Sequence, residues 1–169
     1  ESGYKVVLTG DGGDEIFAGY DSFFEVEALR RWDRLPQPAR RALTWIADAL
    51  PYSAPGKNFI HGIGRSTSLE RYMEFVYVPY NLTRSLLRPQ WRMPLDEADI
   101  RKHFGHCLLP GQVDVLTQAM YFEATAKLTG DMLVKVDRMS MANSIEVRCP
   151  MLDHTLAEFA ARIPHAWKM

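Results

Sequence analysis

The chain has 169 residues, 47% of them hydrophobic and 24% charged, with a formal net charge of -1. That suffices for one ordinary domain with its own core, and the even charge balance excludes the electrostatic footprint of a nucleic-acid or anionic-membrane binder. Cys107 and Cys149 lack CxxC spacing and cannot make a disulfide framework, no apolar run nears the ~18 residues of a membrane span, and no charged leader opens the chain, so a soluble, cytoplasmic protein is expected.

The first element is the apolar, β-branched run Tyr4 to Leu8, which suits a strand buried on both faces of a parallel sheet. It runs into the turn Thr9-Gly10-Asp11-Gly12-Gly13-Asp14-Glu15. Glycine at 10, 12 and 13 permits positive φ and close approach of another group to the backbone. Asp14 and Glu15 then stand where a helix begins, which acidic residues favour. Strand, glycine turn and helix put a ligand site just beyond the carboxyl end of the strand.

Known glycine loops do not fit. Glu15 occupies the place of the third glycine of a dinucleotide fingerprint, the Lys-Ser/Thr of a Walker loop is missing, and so are the alternating acids of an EF-hand. Carboxylates repel phosphate unless a divalent cation stands between them, so Asp11, Asp14 and Glu15 read as half of a Mg²⁺-phosphate site. A surface turn whose acids merely cap a helix is the competing reading.

Helical periodicity continues over Phe23 to Leu35 and Pro38 to Leu50, broken by the prolines between them. Arg30, Arg31, Arg34, Arg40 and Arg41 there read as a solvated side of two helices. Pro51 to Ser66, with its prolines and glycines, reads as a connection. A helix capped by Ser68 is predicted over Leu69 to Val78, and Pro79, Pro89, Pro94 and Pro110 divide the middle of the chain into short pieces. The Asn81-Leu82-Thr83 sequon reads as chance, and His103, His106 and Cys107 as a surface cluster without a further metal ligand.

Two helices are expected at Val113 to Leu128 and Asp131 to Ser144, with Gly130 between them, and a third over Asp153 to Ile163 capped by Asp153. In the second, Asp131, Lys135 and Arg138 form one narrow stripe while apolar residues cover nearly all the rest, the pattern of a buried helix. The stripe then faces either a counter-ion, with Asp131 and Lys135 as an i,i+4 pair, or the anionic part of a ligand. Glu146-Val147-Arg148 alternates like a short strand or extended link, with Glu146 and Arg148 as a structural pair. One strand among so much helix is odd for a complete α/β domain, so the chain reads as a piece of a longer protein, cut inside its sheet.

Two blocks, LTGDGGDEIFAGY (8–20) and VKVDRMSMANSIEVRCPMLDH (134–154), closely resemble the synthetase domain of glutamine-hydrolysing asparagine synthetases and their amidotransferase relatives. The resemblance implies that residues 1–169 are part of an ATP-pyrophosphatase domain, a partial adenine-nucleotide-binding, doubly wound α/β fold. It is mostly helical here, with one buried strand at its N-terminus. The implied activity is ATP-dependent formation of β-aspartyl-AMP, followed by transfer of glutamine-derived ammonia to give asparagine, AMP and pyrophosphate.

By the same resemblance Thr9 and Gly10 contact ATP, with Gly12 and Gly13 completing the loop, Asp11 belongs to the reacting centre, and Asp14 binds Mg²⁺ with pyrophosphate. Lys135 and Arg138 are candidates to add positive charge near the pyrophosphate. Asp at position 11 departs from the commoner Glu and leaves open an acceptor other than aspartate, such as a peptide or cell-surface precursor; a non-catalytic helical scaffold is the rival from another class. A serine-glycine-rich phosphate loop, a catalytic lysine and a glutaminase domain are expected outside residues 1–169, which alone are expected to be inactive. The unpaired edge of the Tyr4 to Leu8 strand makes self-association, and so a homo-oligomer, a further expectation.

Overall fold

A computed structural model describes residues 3–51, 53–64, 72, 86–91 and 102–169. Strand β1 (Val6–Leu8) leads through the glycine turn into the short helix α1 (Gly13–Phe17) and then α2 (Asp21–Arg30), which ends in a 3₁₀ turn at Arg31–Arg34. Helix α3 (Gln37–Ala49) starts with Pro38 in its first turn, where the missing N–H costs nothing. Helix α4 (Lys57–Gly64) lies in the segment expected to be a connection. A Cβ on Gly64 would meet Thr44 Oγ1 at 1.6 Å, so this glycine lets α4 cross closely on α3. The helix expected over Leu69 to Val78 and the sequon at Asn81 lie outside the described residues, except that Tyr72 is helical.

The second half is dominated by one long helix, in three consecutive parts: α5 (Val115–Phe122), a π-helical stretch (Glu123–Met132) and α6 (Leu133–Ala142). The expected break at Gly130 is therefore not there. Gly130 lies within the wide π turns, where no atom outside its own helical segment approaches within 4 Å of a Cβ position. Thr125 and Thr129 donate their hydroxyls to the carbonyls of Tyr121 and Thr125, at 2.7 and 2.5 Å, which occupies i−4 acceptors and suits a widened helix. Asp114 caps α5 by accepting from Thr117 N at 3.0 Å on Oδ1, and His165 Nδ1 lies 3.3 Å from the same oxygen. Asp153 caps the last helix, α7 (His154–Arg162), as expected.

Strand β2 (Glu146–Arg148) pairs in parallel with β1 in the register Val6 with Glu146, Val7 with Val147 and Leu8 with Arg148. Arg148 Nε donates to Glu146 Oε1 at 2.7 Å, the expected structural pair. The fold is thus α/β in content, mostly helical around a two-stranded parallel sheet. The expected burial of β1 is not observed: Leu8 is 72% exposed, and Val6 and Val7 are exposed as well, because the described elements leave the pair without a full cover. Helix α6 likewise buries no residue, and Val134, Met139 and Met141 remain exposed, which corrects its reading as a buried helix.

The core lies between α2 and α5. Phe23, Val26, Leu116, Ala119 and Phe122 are buried together with Tyr72 and Cys107. Phe23 stacks on Tyr72 with ring centroids 6.3 Å apart, and Phe122 meets Tyr72 and Phe104 edge-on at 6.1 and 5.5 Å. Offset and edge-on packing of this kind adds to the area burial of large rings. This cluster fixes α2 against the long helix, and the glycine turn with α1 is carried on its rim through Ala18, which is buried. Among the described residues no helix is long and apolar enough to cross a membrane.

Candidate active site

Two parallel strands side by side bring together the residues just past their carboxyl ends. Here Thr9 succeeds β1 and Cys149 succeeds β2, and Thr9 N donates to Arg148 O at 3.0 Å as the last rung of the ladder. The Thr9 hydroxyl donates to Asp11 Oδ2 at 2.7 Å and lies 3.3 Å from Cys149 Sγ. Cys149 Sγ is 3.9 Å from the same Asp11 oxygen. The carboxylate of Asp11 is thereby turned back towards the strand ends and held half-buried.

The turn itself closes through Gly13 N to Gly10 O at 3.1 Å. Gly12 has φ +92° and is buried against the segment after β2: a Cβ there would stand 2.1 Å from Leu152 Cδ2. Only glycine satisfies both the left-handed backbone and the contact. Gly13 opens α1 beside Met151. Gly10 is exposed, with open space where a side chain would be.

Asp14 and Glu15, one residue apart on α1, point different ways. Asp14 is exposed, and its carboxylate folds over Gly19, where a Cβ would stand 2.2 Å from Oδ1. Glu15 is 2% exposed and accepts the Tyr20 hydroxyl at 2.6 Å. Burial first, and then the Glu15 carboxylate it bonds to, push the Tyr20 phenol well above the ordinary tyrosine range. Lys127 sits 4.7 Å over the Tyr20 ring and 3.2 Å from Glu123, whose other oxygen accepts from Tyr72. Two buried glutamates, two tyrosines and a lysine thus tie α1 to the π-helical stretch.

The structure gathers Thr9, Gly10, Asp11, Gly12, Gly13 and Asp14 into one loop. It does not join Lys135 or Arg138 to it: both are exposed on α6, and neither they nor Asp131 form an ion pair among the described residues. The i,i+4 pair is absent because the solvated stripe has no desolvation to offset. His103 and His106 are exposed while Cys107 is in the core, so the three do not converge. Among the described residues no three acidic, histidine or cysteine side chains gather around a metal position. Asp14 alone still fits Mg²⁺, a cation that is commonly held by one or two carboxylates with substrate phosphates completing the shell.

Cys149, Met151 and Leu152 are part of this site although sequence reasoning does not single them out. Their signal is the position of CPML directly after the strand-like Glu146-Val147-Arg148, since residues just past parallel strand ends share one crevice. Against the buried side of α1, Glu15, Met120, Tyr121, His165 and Lys168 border a cavity of about 340 Å³, which takes in none of residues 9–14. Burial holds the Lys168 ammonium below the ordinary lysine range.

The family model described as asparagine synthase matches residues 1–169. A putative asparagine synthetase (glutamine-hydrolyzing) of Mycobacterium tuberculosis is 35% identical over 98% of the chain and 25% of its own length. Asparagine synthetase (glutamine-hydrolyzing) 1 of Bacillus subtilis is 28% identical over 96% of the chain and 25% of its length. Amidase chyE of Penicillium rubens is 28% identical over 99% of the chain and 27% of its length. The chain spans about a quarter of the length of these relatives. No solved structure matches.

Proposed function

Because the chain belongs to the asparagine synthase family, we propose that it supplies the acidic loop of an ATP-dependent amidotransferase that activates a carboxylate as an acyl-adenylate and passes ammonia to it. The observation that carries this is the convergence of the two sequence blocks. Thr9, Asp11 and Gly12 from one meet Cys149 and Leu152 from the other beyond the carboxyl ends of paired parallel strands. A scaffold needs no such meeting of acids, hydroxyl and glycines at a strand end.

In this reading the backbone of Thr9, Gly10, Gly12 and Gly13 borders ATP, with glycines letting the nucleotide approach closely. Asp11 lies at the reacting centre, where it orients the incoming carboxylate or the ammonia that displaces AMP. Asp14, exposed at the start of α1, faces the pyrophosphate side and would hold Mg²⁺, which offsets charge on the departing pyrophosphate. Lys135 and Arg138 are solvated cations on α6, available to the same anion. The acceptor is aspartate and the product asparagine, formed in the cytoplasm with ammonia from a glutaminase domain. The likeness to an amidase and the aspartate at position 11 favour a second reading in which another carboxylate takes the place of aspartate.

The test is ATP-pyrophosphate exchange by the full-length protein with aspartate and with other carboxylates. Asp14→Asn is expected to abolish exchange at ordinary Mg²⁺, and Asp11→Asn to lower its rate with ATP affinity nearly unchanged. Exchange by Asp14→Asn at the wild-type rate would overturn the metal role, and loss of ATP affinity in Asp11→Asn would overturn the assignment of Asp11.

A further inference from the structure

We propose that Cys149 is a positioning residue for Asp11: its thiol donates to the Thr9 hydroxyl and keeps that hydroxyl's own hydrogen bond directed at the Asp11 carboxylate. The inference rests on the adenylating role just proposed for the loop. It starts from counting hydrogens among three side chains. Thr9 has one hydroxyl hydrogen, and Asp11 as a carboxylate can only accept. The 2.7 Å bond from Thr9 Oγ1 to Asp11 Oδ2 therefore uses that hydrogen.

What remains on Thr9 Oγ1 is lone pairs, so in the 3.3 Å contact with Cys149 Sγ the thiol is the donor. The chain runs Cys149 S–H to Thr9 O–H to Asp11 carboxylate. A hydroxyl that accepts one hydrogen bond donates a stronger one, because the two polarise each other. The alternative acceptor for the thiol, Asp11 Oδ2 itself, is at 3.9 Å, longer and weaker. Without the thiol, the Thr9 hydroxyl can rotate its hydrogen away and Asp11 is free to turn to solvent.

The backbone explains why this residue and no other can do it. Arg148 and Leu8 are register partners, and the last ladder bond joins Thr9 N to Arg148 O. The side chain of the residue that follows β2 is therefore delivered beside Thr9. Cys149 is half-buried there, unlike Cys107, which belongs to the core.

The experiment uses the full-length protein and three variants: Cys149→Val, which stays apolar, adds about one methyl group and loses the donor, Cys149→Ser, which keeps a donor, and Thr9→Val. Cys149→Val is expected to lower kcat for carboxylate-dependent ATP-pyrophosphate exchange about two- to tenfold, the range of one lost hydrogen bond, with KM for ATP nearly constant. Cys149→Ser restores most of the loss, and melting temperatures of the two variants agree. Equal rates for wild type and Cys149→Val, a loss that Cys149→Ser does not recover, or a loss that appears in KM for ATP would each overturn the proposal. A second readout needs no activity: the rate at which N-ethylmaleimide adds to Cys149, followed by peptide mass spectrometry. In Thr9→Val the thiol loses its acceptor and is expected to react about two- to tenfold faster; an unchanged rate overturns the contact. A wild-type protein inactive with every carboxylate would instead refute the adenylating function, while the alkylation rates still judge the contact.

Discussion

Replacing Gly12 by alanine perturbs a residue at which the two sequence blocks meet and the backbone of the turn is itself constrained. Two costs arise, and the structure separates them. The first is conformational: at φ +92° an L-residue is strained by about 1–2 kcal/mol. The second is steric. The new Cβ would stand 2.1 Å from Leu152 Cδ2 and 2.9 Å from Cγ, so Leu152 has to leave its place in the contact, and overpacking of this kind costs about 1–3 kcal/mol. Together they make about 2–5 kcal/mol, a large fraction of the stability of an ordinary domain. Urea denaturation of the full-length protein, followed by tryptophan fluorescence, measures the sum. The cycle of Gly12→Ala with Leu152→Ala measures the steric part, because shortening Leu152 relieves the clash and leaves the strain. The two substitutions should therefore couple favourably by about 1–3 kcal/mol. Gly12→Ala with wild-type stability, or a cycle that is additive within ~0.5 kcal/mol, would refute the packing of the turn on the segment after β2.

Tyr20→Phe keeps the ring under Lys127 but removes the donor to Glu15, which is 2% exposed; a loss of about 1–3 kcal/mol is expected in urea, and no change would show that the Glu15 carboxylate has another partner. Gly19→Ala brings no φ strain, but its Cβ would stand 2.2 Å from Asp14 Oδ1 and 3.2 Å from Asp14 Cα, so it should push the carboxylate aside with a small backbone shift, raising the half-saturating Mg²⁺ for exchange on the order of tenfold. Unchanged Mg²⁺ dependence would separate Asp14 from the metal. Asp114→Ala removes the cap of α5 at a cost of about 0.5–2 kcal/mol. Burial alone raises the Asp114 carboxyl, but the Thr117 hydroxyl, backbone N–H groups and His165 outweigh it and hold the group below the ordinary value of 3.8. Its contribution is therefore present above pH 3.8 and lost as pH falls through the lowered value, so melting curves from pH 7 to 2.5 should converge for wild type and Asp114→Ala at the acid end.

The acidic loop was legible because its residue types admit few uses: glycines spaced for a turn and carboxylates at a helix start, straight after an apolar run. Element identity was legible where one period dominates, as in α3 and α7. Glycines misled where they serve packing. Gly64 makes room for Thr44 and Gly130 rides in a π turn, and neither is distinguishable from a breaker in sequence. Hydrophobicity misled in the opposite direction: Val6, Val7, Leu8, Met139 and Met141 have the pattern of buried residues and are exposed, because apolar patterning shows what a segment can bury and not whether a cover is at hand. The pairing of β1 with β2 is a contact between segments far apart in the chain, and periodicity carries no information about which strand another selects.

The three acids of the loop, alike in sequence, are made unlike by geometry. Asp11 is turned back onto Thr9 beside Cys149, Asp14 reaches solvent, and Glu15 is enclosed with Tyr20. Successive residues on a helix project about 100° apart, so enclosing Glu15 is what aims Asp14 outward. The anchor of α1 and its reactive face are therefore set by a single helix register. The register is held from inside, by a Tyr20 hydroxyl that burial and Glu15 keep protonated and by Lys127 of the π-helical stretch, which sits over the Tyr20 ring while paired with Glu123 one turn away. An exposed carboxylate can be aimed in this way without any partner of its own, which leaves its oxygens for a cation and a phosphate. Placing an identical charge one position later would put it in the enclosed network, where it can serve stability but cannot reach a ligand.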